Sequence, residues 1–300
     1  MAQAQGSRVQ LAYILEVTYG VTPGAPQTQA IEFSNFTGDL TTTQLSDPSI
    51  RADRQIAYSR RGNTSTEGEL EVVMCADNYD TFLEAVTQGT WATGTLKIGT
   101  TQRSFAVEQG FTDLVQFRVF NGVVFNTLSM EVTPDKLVMA KFGLLGSSTT
   151  AFTGTPIDAS PTAVTAKDKF FHEGGTFKEG GATVGYLSAI SFELNNNVST
   201  NVALGNTGVR SMSSGKANVT GKVTGWFEDV TLYNKFKNNT DSSIEFTLVA
   251  GAETLTFKLP KVKYGKGSIP MDGDGPITVE LEFEAIYDTT DATTLMITRV

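Results

Sequence analysis

Few residues of this chain have types and spacings that could do chemistry. One histidine, His172, stands in Phe171-His172-Glu173-Gly174-Gly175. It could serve a Ser–His–Asp site, but a lone histidine in a glycine-rich segment reads as a surface residue. One cysteine, Cys75, lies between a strand pattern and a helix start and reads as a buried, inert thiol. A single His and a single Cys exclude a zinc site built on those ligands within one chain. Asp272-Gly273-Asp274-Gly275 is a faint match to a calcium loop. The acidic ligand at the loop end is missing and Pro276 follows, so a β-turn is the better reading. Glu280, Glu282 and Glu284 have the residue type of glycosidase acids. Their alternation on one strand reads instead as a solvated face. No Gly-x-Gly-x-x-Gly joins a strand to a helix, and no P-loop pattern occurs. The residues point to a protein that is not an enzyme and takes no cofactor or metal.

The bulk numbers narrow the class further. The chain has 300 residues, enough for one large or two medium domains with real cores. Its net charge of −9 argues against gripping nucleic acid through phosphates, which needs a basic footprint. One cysteine excludes an intramolecular disulfide framework and suits synthesis in a reducing compartment. The N-terminus has no apolar signal core, and no stretch approaches the roughly 20 apolar residues of a membrane helix. A soluble protein made in the cytoplasm is expected, with no membrane partner.

The elements that would position any site are mostly strands, and they are written twice. Gly68 to Met74 runs as a strand into a helix from Asp77 to Gln88, and a strand pair around Leu96-Lys97-Ile98 and Ser104 to Glu108 follows. Ala217 to Val223 runs into a helix from Asp229 to about Lys237, followed by strands Ser243 to Val249 and Thr254 to Leu259. Both helices carry an aromatic pair, Tyr79/Phe82 and Tyr233/Phe236, the self-similarity of a duplicated module. Tyr79, Phe82, Leu83 and Val86 fall at helical spacing, with Asp77 as N-cap and Gly89 just past the end. Leu232, Tyr233 and Phe236 face inward on the second helix, capped by Asp229. Ile277, Val279, Leu281, Phe283, Ala285 and Tyr287 alternate with Thr278, Glu280, Glu282 and Glu284, the period of a half-buried antiparallel strand.

The expected class is mainly β: two tandem antiparallel β-sandwich or barrel modules, each with one short flanking α-helix. Residues 1–30 read as an N-terminal arm, 31–146 as the first module, 147–182 as a linker and 183–300 as the second module. Two long polar excursions interrupt the modules, Thr41 to Thr66 and Asn195 to Lys216. The first holds Arg51, Arg54, Arg60 and Arg61, which need carboxylate partners. Loops this long in compact domains are functional or disordered. Both are expected to make inter-subunit contacts.

Several segments, taken in order, resemble the tail tube (major tail) proteins of long-tailed, non-contractile bacteriophages. The opening signature is Glu16-Val17-Thr18-Tyr19-Gly20-Val21-Thr22-Pro23-Gly24. Ser104 to Phe111 resembles the strand after the helix, and Gly122 to Val132 with Lys141 to Gly146 the next hairpin. Val219 to Val223, Leu259 to Val262 and Phe283 to Asp288 fit the same pattern in the second half. The resemblance covers most of the chain and thins over 147–182. It implies a structural virion protein made in the host bacterial cytoplasm, whose sheets join across subunits around a DNA-conducting lumen. Implied partners are further copies of itself, the tape-measure, tail-terminator and tail-tip proteins, and genomic DNA passing without specific binding. An acidic conduit suits that passage, and Glu280, Glu282 and Glu284 are the candidate lumen stripe; an outer solvated face is the alternative. Because the family's single-module members build rings of six, two modules in tandem imply a ring of three chains with pseudo-sixfold symmetry. The alternative is a hexamer decorated by the second module. Two other classes stay open: a non-enzymatic β-sandwich binding or adhesion module, and an outer-membrane porin, against which the capped helices and core-like apolar faces speak.

Overall fold

The computed structural model describes residues 3–228, 230–271 and 275–300. The expected cap Asp229 and the expected turn at Asp272-Gly273-Asp274 lie outside the described residues. In chain order the first half gives β1 (Val9–Leu15), β2 (Gln29–Ile31), β3 (Asn35–Phe36), β4 (Asp39–Ser46) and β5 (Ser59–Val73). It continues with helix α1 (Asp80–Thr87), β6 (Thr95–Lys97), β7 (Phe105–Phe111), β8 (Gln116–Val132), β9 (Met139–Gly146) and β10 (Ser148–Thr149). The second half gives β11 (Phe171–Glu179), β12 (Ala182–Thr183), β13 (Leu187–Asn195), β14 (Ser199–Val202), β15 (Val209–Ser213) and β16 (Asn218–Trp226). Helix α2 (Thr231–Lys237), β17 (Ser242–Ala250), β18 (Glu253–Ser268), β19 (Thr278–Ala285) and β20 (Met296–Arg299) complete it. The protein is mainly β; among the described residues it is built of large antiparallel sheets with two short α-helices, and no sheet closes into a barrel.

One strand order occurs twice. In the first half β2 pairs with β1, β1 with β7, β7 with β8, β8 with β9, β9 with β5 and β5 with β4. In the second half β12, β11, β17, β18, β19, β16 and β13 follow one another in the same way. Even the irregularities repeat. The β8–β9 register shifts between Phe125 and Thr127, and the β18–β19 register shifts between Tyr264 and Lys266. An extra residue bends a strand, so β8 and β18 each turn a corner and serve two layers.

The two halves share one hydrophobic core. On β19, Val279, Leu281, Phe283 and Ala285 are buried, as the alternation requires. Ile277 and Tyr287, expected on the same face, lie beyond the strand ends and are exposed. In α1, Tyr79, Phe82, Leu83 and Val86 are buried as expected, and the Phe82 ring packs against Tyr13, Phe105, Phe125 and Phe142. In α2 only Leu232 is buried; Tyr233 and Phe236 are half-buried. This helix is fixed by a polar tie instead: Lys235 Nζ lies 2.5 Å from the buried Glu179, which also accepts Ser242 Oγ and Tyr264 Oη at 2.6 and 3.0 Å.

Three local expectations are corrected. Asp77 does not cap α1: it has a left-handed backbone (φ 65°), and its carboxylate pairs with Lys167 and Arg299. Gln88, rather than Gly89, takes the left-handed position at the helix end. The segments 96–98 and 104–108 are not partners. β6 pairs with β20 and β7 pairs with β1 and β8, because strands distant in sequence complete both layers. The stretch expected as an arm contributes β1, whose Leu11, Ala12 and Tyr13 are buried, and the stretch expected as a linker contributes β10 and β11.

Candidate assembly surface

Eight strands form one antiparallel sheet across both halves, in the order β4-β5-β9-β8-β13-β16-β19-β18. The joint is β13 against the outer half of β8, with Asn195 opposite Thr127, Leu194 opposite Leu128 and Glu193 opposite Ser129. Because side chains alternate across a sheet, one face carries Leu70, Phe142, Leu128, Leu194, Val223 and Leu281 into the core. The opposite face is largely polar, with an apolar patch at Val124 and Leu145.

That polar face holds Glu280, Glu282 and Glu284, and they are not alone. Register places Glu67, Glu69 and Glu71 of β5, Glu131 of β8, Glu193 of β13 and Asp39 of β4 on the same side, with Lys141, Lys222, Lys263 and Lys266 among them and Arg118 paired with Asp39 at 3.0 Å. Lys222 Nζ lies 2.8 Å from Glu280 and Lys266 Nζ 2.9 Å from Glu282, while Lys141 reaches Glu69 and Glu71 at 3.8 and 3.5 Å. Such solvated pairs contribute little to stability, ~0–1 kcal/mol each. They leave the face acidic, since these carboxylates outnumber the lysines. Ser129, Glu193, Lys222, Lys266, Glu282 and Glu284 border a shallow groove of about 570 Å³ in this surface. Sequence alternation found the β19 stripe. It missed the β5 stripe as part of the same surface, because only the register shows that the two share a face.

The sheet is open at both ends. Thr37 N donates to Glu69 O at 3.0 Å, so its neighbours Gly38 and Leu40 point their backbone groups away from β5. Side chains hold those groups: Leu40 N donates to Asp39 Oδ1 at 2.7 Å, and Gly38 O accepts Arg118 Nη2 at 3.4 Å. At the other end, Lys266 to Ser268 pair with β19 on one side only among the described residues.

The two polar excursions differ in what they touch. The one from Asn195 to Lys216 forms the β14–β15 hairpin and lies on the first half of its own chain. Asn196 Nδ2 donates to Val86 O, Val198 N to Asn126 Oδ1 and Ser147 Oγ to Val209 O, while Val209 and Met212 cover Val124. The excursion from Thr41 to Thr66 extends the β4–β5 hairpin into solvent. Ile50 and Ile56 at its tip are 102 % and 71 % exposed. Arg51 is paired with Asp53 of the same loop at 2.7 Å, whereas Arg54, Arg60 and Arg61 make no ion pair among the described residues.

The residues first considered for chemistry are not brought together. His172 Nδ1 accepts the Asp135 N–H at 3.2 Å on an exposed strand, beside an open pocket of about 340 Å³ with Phe177, Val184 and Phe246. Cys75 is buried, and burial pushes its thiol up, disfavouring the thiolate. Among the described residues no three His, Cys, Asp or Glu side chains are grouped to hold a metal, and no helix is long and apolar enough to cross a membrane.

The N-terminal signature has a structural reason. Buried Glu16 accepts Gly20 N and Ser104 Oγ through Oε2 at 2.8 and 2.7 Å, and Gly122 N through Oε1 at 2.8 Å. Gly20 and Gly122 both have left-handed backbones, and a Cβ on Gly122 would press on Tyr19 and Ser147. Glu16, Gly20, Ser104 and Gly122 thus hold the start of the chain to the bend of β8. A search among curated proteins gives no match. A family model described as phage tail tube protein matches residues 6–285, nearly the whole chain. This chain belongs to the phage tail tube protein family.

Proposed function

We propose that copies of this chain join edge to edge into rings, and that the rings stack into the hollow tube of a phage tail with the acidic sheet face towards the lumen. Membership of the family carries a structural, non-enzymatic role in the virion tail, self-assembly into a tube and contact with other tail proteins. The ring arrangement, the acidic conduit and DNA ejection are our reading. We also read the twice-used strand order as two modules, 31–146 and 183–300, joined by 147–182. The tape-measure, tail-terminator and tail-tip proteins are the proposed neighbours. Synthesis in the host cytoplasm belongs to the same proposal.

The observation that carries this reading is the eight-stranded sheet, largely polar on one face, whose end segments in β4 and the outer end of β18 are paired on one side only among the described residues. Open edges invite pairing, and ring closure removes them. Three copies would supply about 24 strands. At a spacing of about 4.8 Å and a tilt of about 40°, they close a barrel roughly 48 Å across the backbone. Six copies would give roughly twice that width. Three chains with pseudo-sixfold symmetry therefore suffice to enclose a duplex. An acidic wall fits passage without capture, because each phosphate–lysine or phosphate–arginine contact adds affinity. Arg54, Arg60 and Arg61 at the end of the long hairpin are the proposed contacts to a neighbouring ring or subunit, with Arg51 supporting the loop through Asp53. Negative-stain microscopy and sedimentation at high concentration test the assembly. Tubes or rings are expected, and a protein that stays monomeric refutes it.

A further inference from the structure

The joint between the halves of one chain is also a template for the joint between chains. The repeated registers place the two halves residue against residue. Leu144 faces Gly68 in the first half and Phe283 faces Gly221 in the second, so Leu144 corresponds to Phe283 and Gly68 to Gly221. Both glycines do the same work: a Cβ on Gly68 would strike the Gly38 backbone, and one on Gly221 the Ser191 and Phe192 backbone. Asp39, Leu40 and Thr41 of β4 then correspond to Glu193, Leu194 and Asn195 of β13. Through the shared bulge, Thr127, Leu128 and Ser129 of β8 correspond to Lys266, Gly267 and Ser268 of β18.

Within the chain, β13 fills the edge of β8. The corresponding edge of β18 is empty among the described residues, and the strand corresponding to β13 is β4, whose outer edge carries only side-chain caps. Resting on the tube reading above, we infer that β4 of one copy pairs antiparallel with the outer end of β18 in the next. The register is Thr41 opposite Lys266, Leu40 opposite Gly267 and Asp39 opposite Ser268.

Three features fit that partner. Continued by one pair at a time, the register sets Thr37 opposite Pro270. Thr37 turns its N–H to β5, so the proline falls at a position that needs no hydrogen bond across the joint. Lys266, paired with Glu282 in its own chain, and Asp39, paired with Arg118, keep side chains 68 % and 72 % exposed and become diagonal neighbours of opposite charge. The long hairpins complete the correspondence. The excursion after β13 covers Val124, beside Leu145, with Val209 and Met212. The excursion after β4 would lie over Lys263 and Glu284, which occupy the equivalent places, and it offers Arg60 and Arg61. Apolar cover in one joint becomes charge pairing in the other.

Paired cysteines introduced with Cys75→Ala test the register. In assembled full-length protein, Asp39→Cys with Ser268→Cys and Thr41→Cys with Lys266→Cys should oxidise to cross-linked chains ending at a covalent trimer. Asp39→Cys with Lys266→Cys, two residues out of register, should form at least tenfold less. Wild-type tubes should also show slowed amide exchange at Gly38, Leu40, Gly267 and Ile269 relative to monomer. Tubes that form without this protection, or whose out-of-register pair cross-links as well, overturn the register while leaving the tube reading intact. Failure of the wild-type protein to assemble overturns both.

Discussion

Replacing Glu16 by Gln should cost more than any other change of a single side-chain atom near the N-terminus. The carboxylate is 8 % exposed and accepts three hydrogen bonds, from Gly20 N, Ser104 Oγ and Gly122 N. An amide keeps one oxygen and turns the other into a donor. If the oxygen stays on Gly20 and Ser104, the new NH2 faces the Gly122 N–H, and both are left unsatisfied. Reversing the amide keeps Gly122 N on the oxygen and lets the NH2 donate to Ser104 Oγ, whose hydroxyl turns round, so that Gly20 N alone is left unsatisfied. An unsatisfied buried donor costs ~1–3 kcal/mol, and each charge-assisted bond that becomes neutral loses ~1 kcal/mol. With one donor unsatisfied and two bonds made neutral the sum is about 3–5 kcal/mol, or a fall of roughly 6–10 °C in the melting temperature at about 2 °C per kcal/mol for a chain this large. Denaturant unfolding of dilute monomer measures it. Because no surface is newly exposed, the midpoint should fall with the slope unchanged. A loss below about 1 kcal/mol refutes the claim that this carboxylate holds the chain start to the bend of β8.

Phe82→Ala removes the ring at the centre of the Tyr13, Phe105, Phe125 and Phe142 cluster and should cost about 3–5 kcal/mol by the same unfolding measurement; a change under 1 kcal/mol contradicts the packing. Asp77 is held below the usual carboxylate range, chiefly by the hydrogen bond from Lys167. A depressed folded value means the stabilisation is present above the unfolded value and is lost as pH falls through the folded one. Asp77→Asn should therefore lower the melting temperature at pH 7 and leave it unchanged at about pH 2; equal effects at both contradict the charge argument. Reversing Glu280, Glu282 and Glu284 together to Lys should leave the monomer folded, since these side chains alternate with the buried set. Assembled tubes of that variant should retain DNA on a filter at 50 mM salt and release it at 200 mM, where wild-type tubes retain none. Identical retention by both contradicts a lumen-facing stripe.

The strands were legible where one face meets the core and the other meets water, as in Val279, Leu281, Phe283 and Ala285 against Glu280, Glu282 and Glu284. Helix α1 was legible from the spacing of Tyr79, Phe82, Leu83 and Val86, but its ends were not. Asp77 looks like a cap in sequence, yet its carboxylate is drawn to Lys167 and Arg299, far away in the chain. The pairing of β6 with β20 is set by long-range packing that no local pattern encodes. Polar, weakly alternating text hid β10 and β11 in the stretch that read as linker, whereas β1 is a short apolar run inside the stretch that read as arm. The duplication itself was visible through its helices, with their aromatic pairs, and the strands around them. What it did for the surface emerged only from register, because Glu71 and Glu284 share a face through four intervening strands.

The most direct test of the account is the copy number of one ring, read from a reconstruction of wild-type tubes made without imposed symmetry. Chains of 32.2 kDa should give a layer of three, about 97 kDa, with six similar but unequal modules around one continuous sheet and the acidic face inside. Six chains per layer, or a wall in which β4 and β18 remain unpaired, would contradict it.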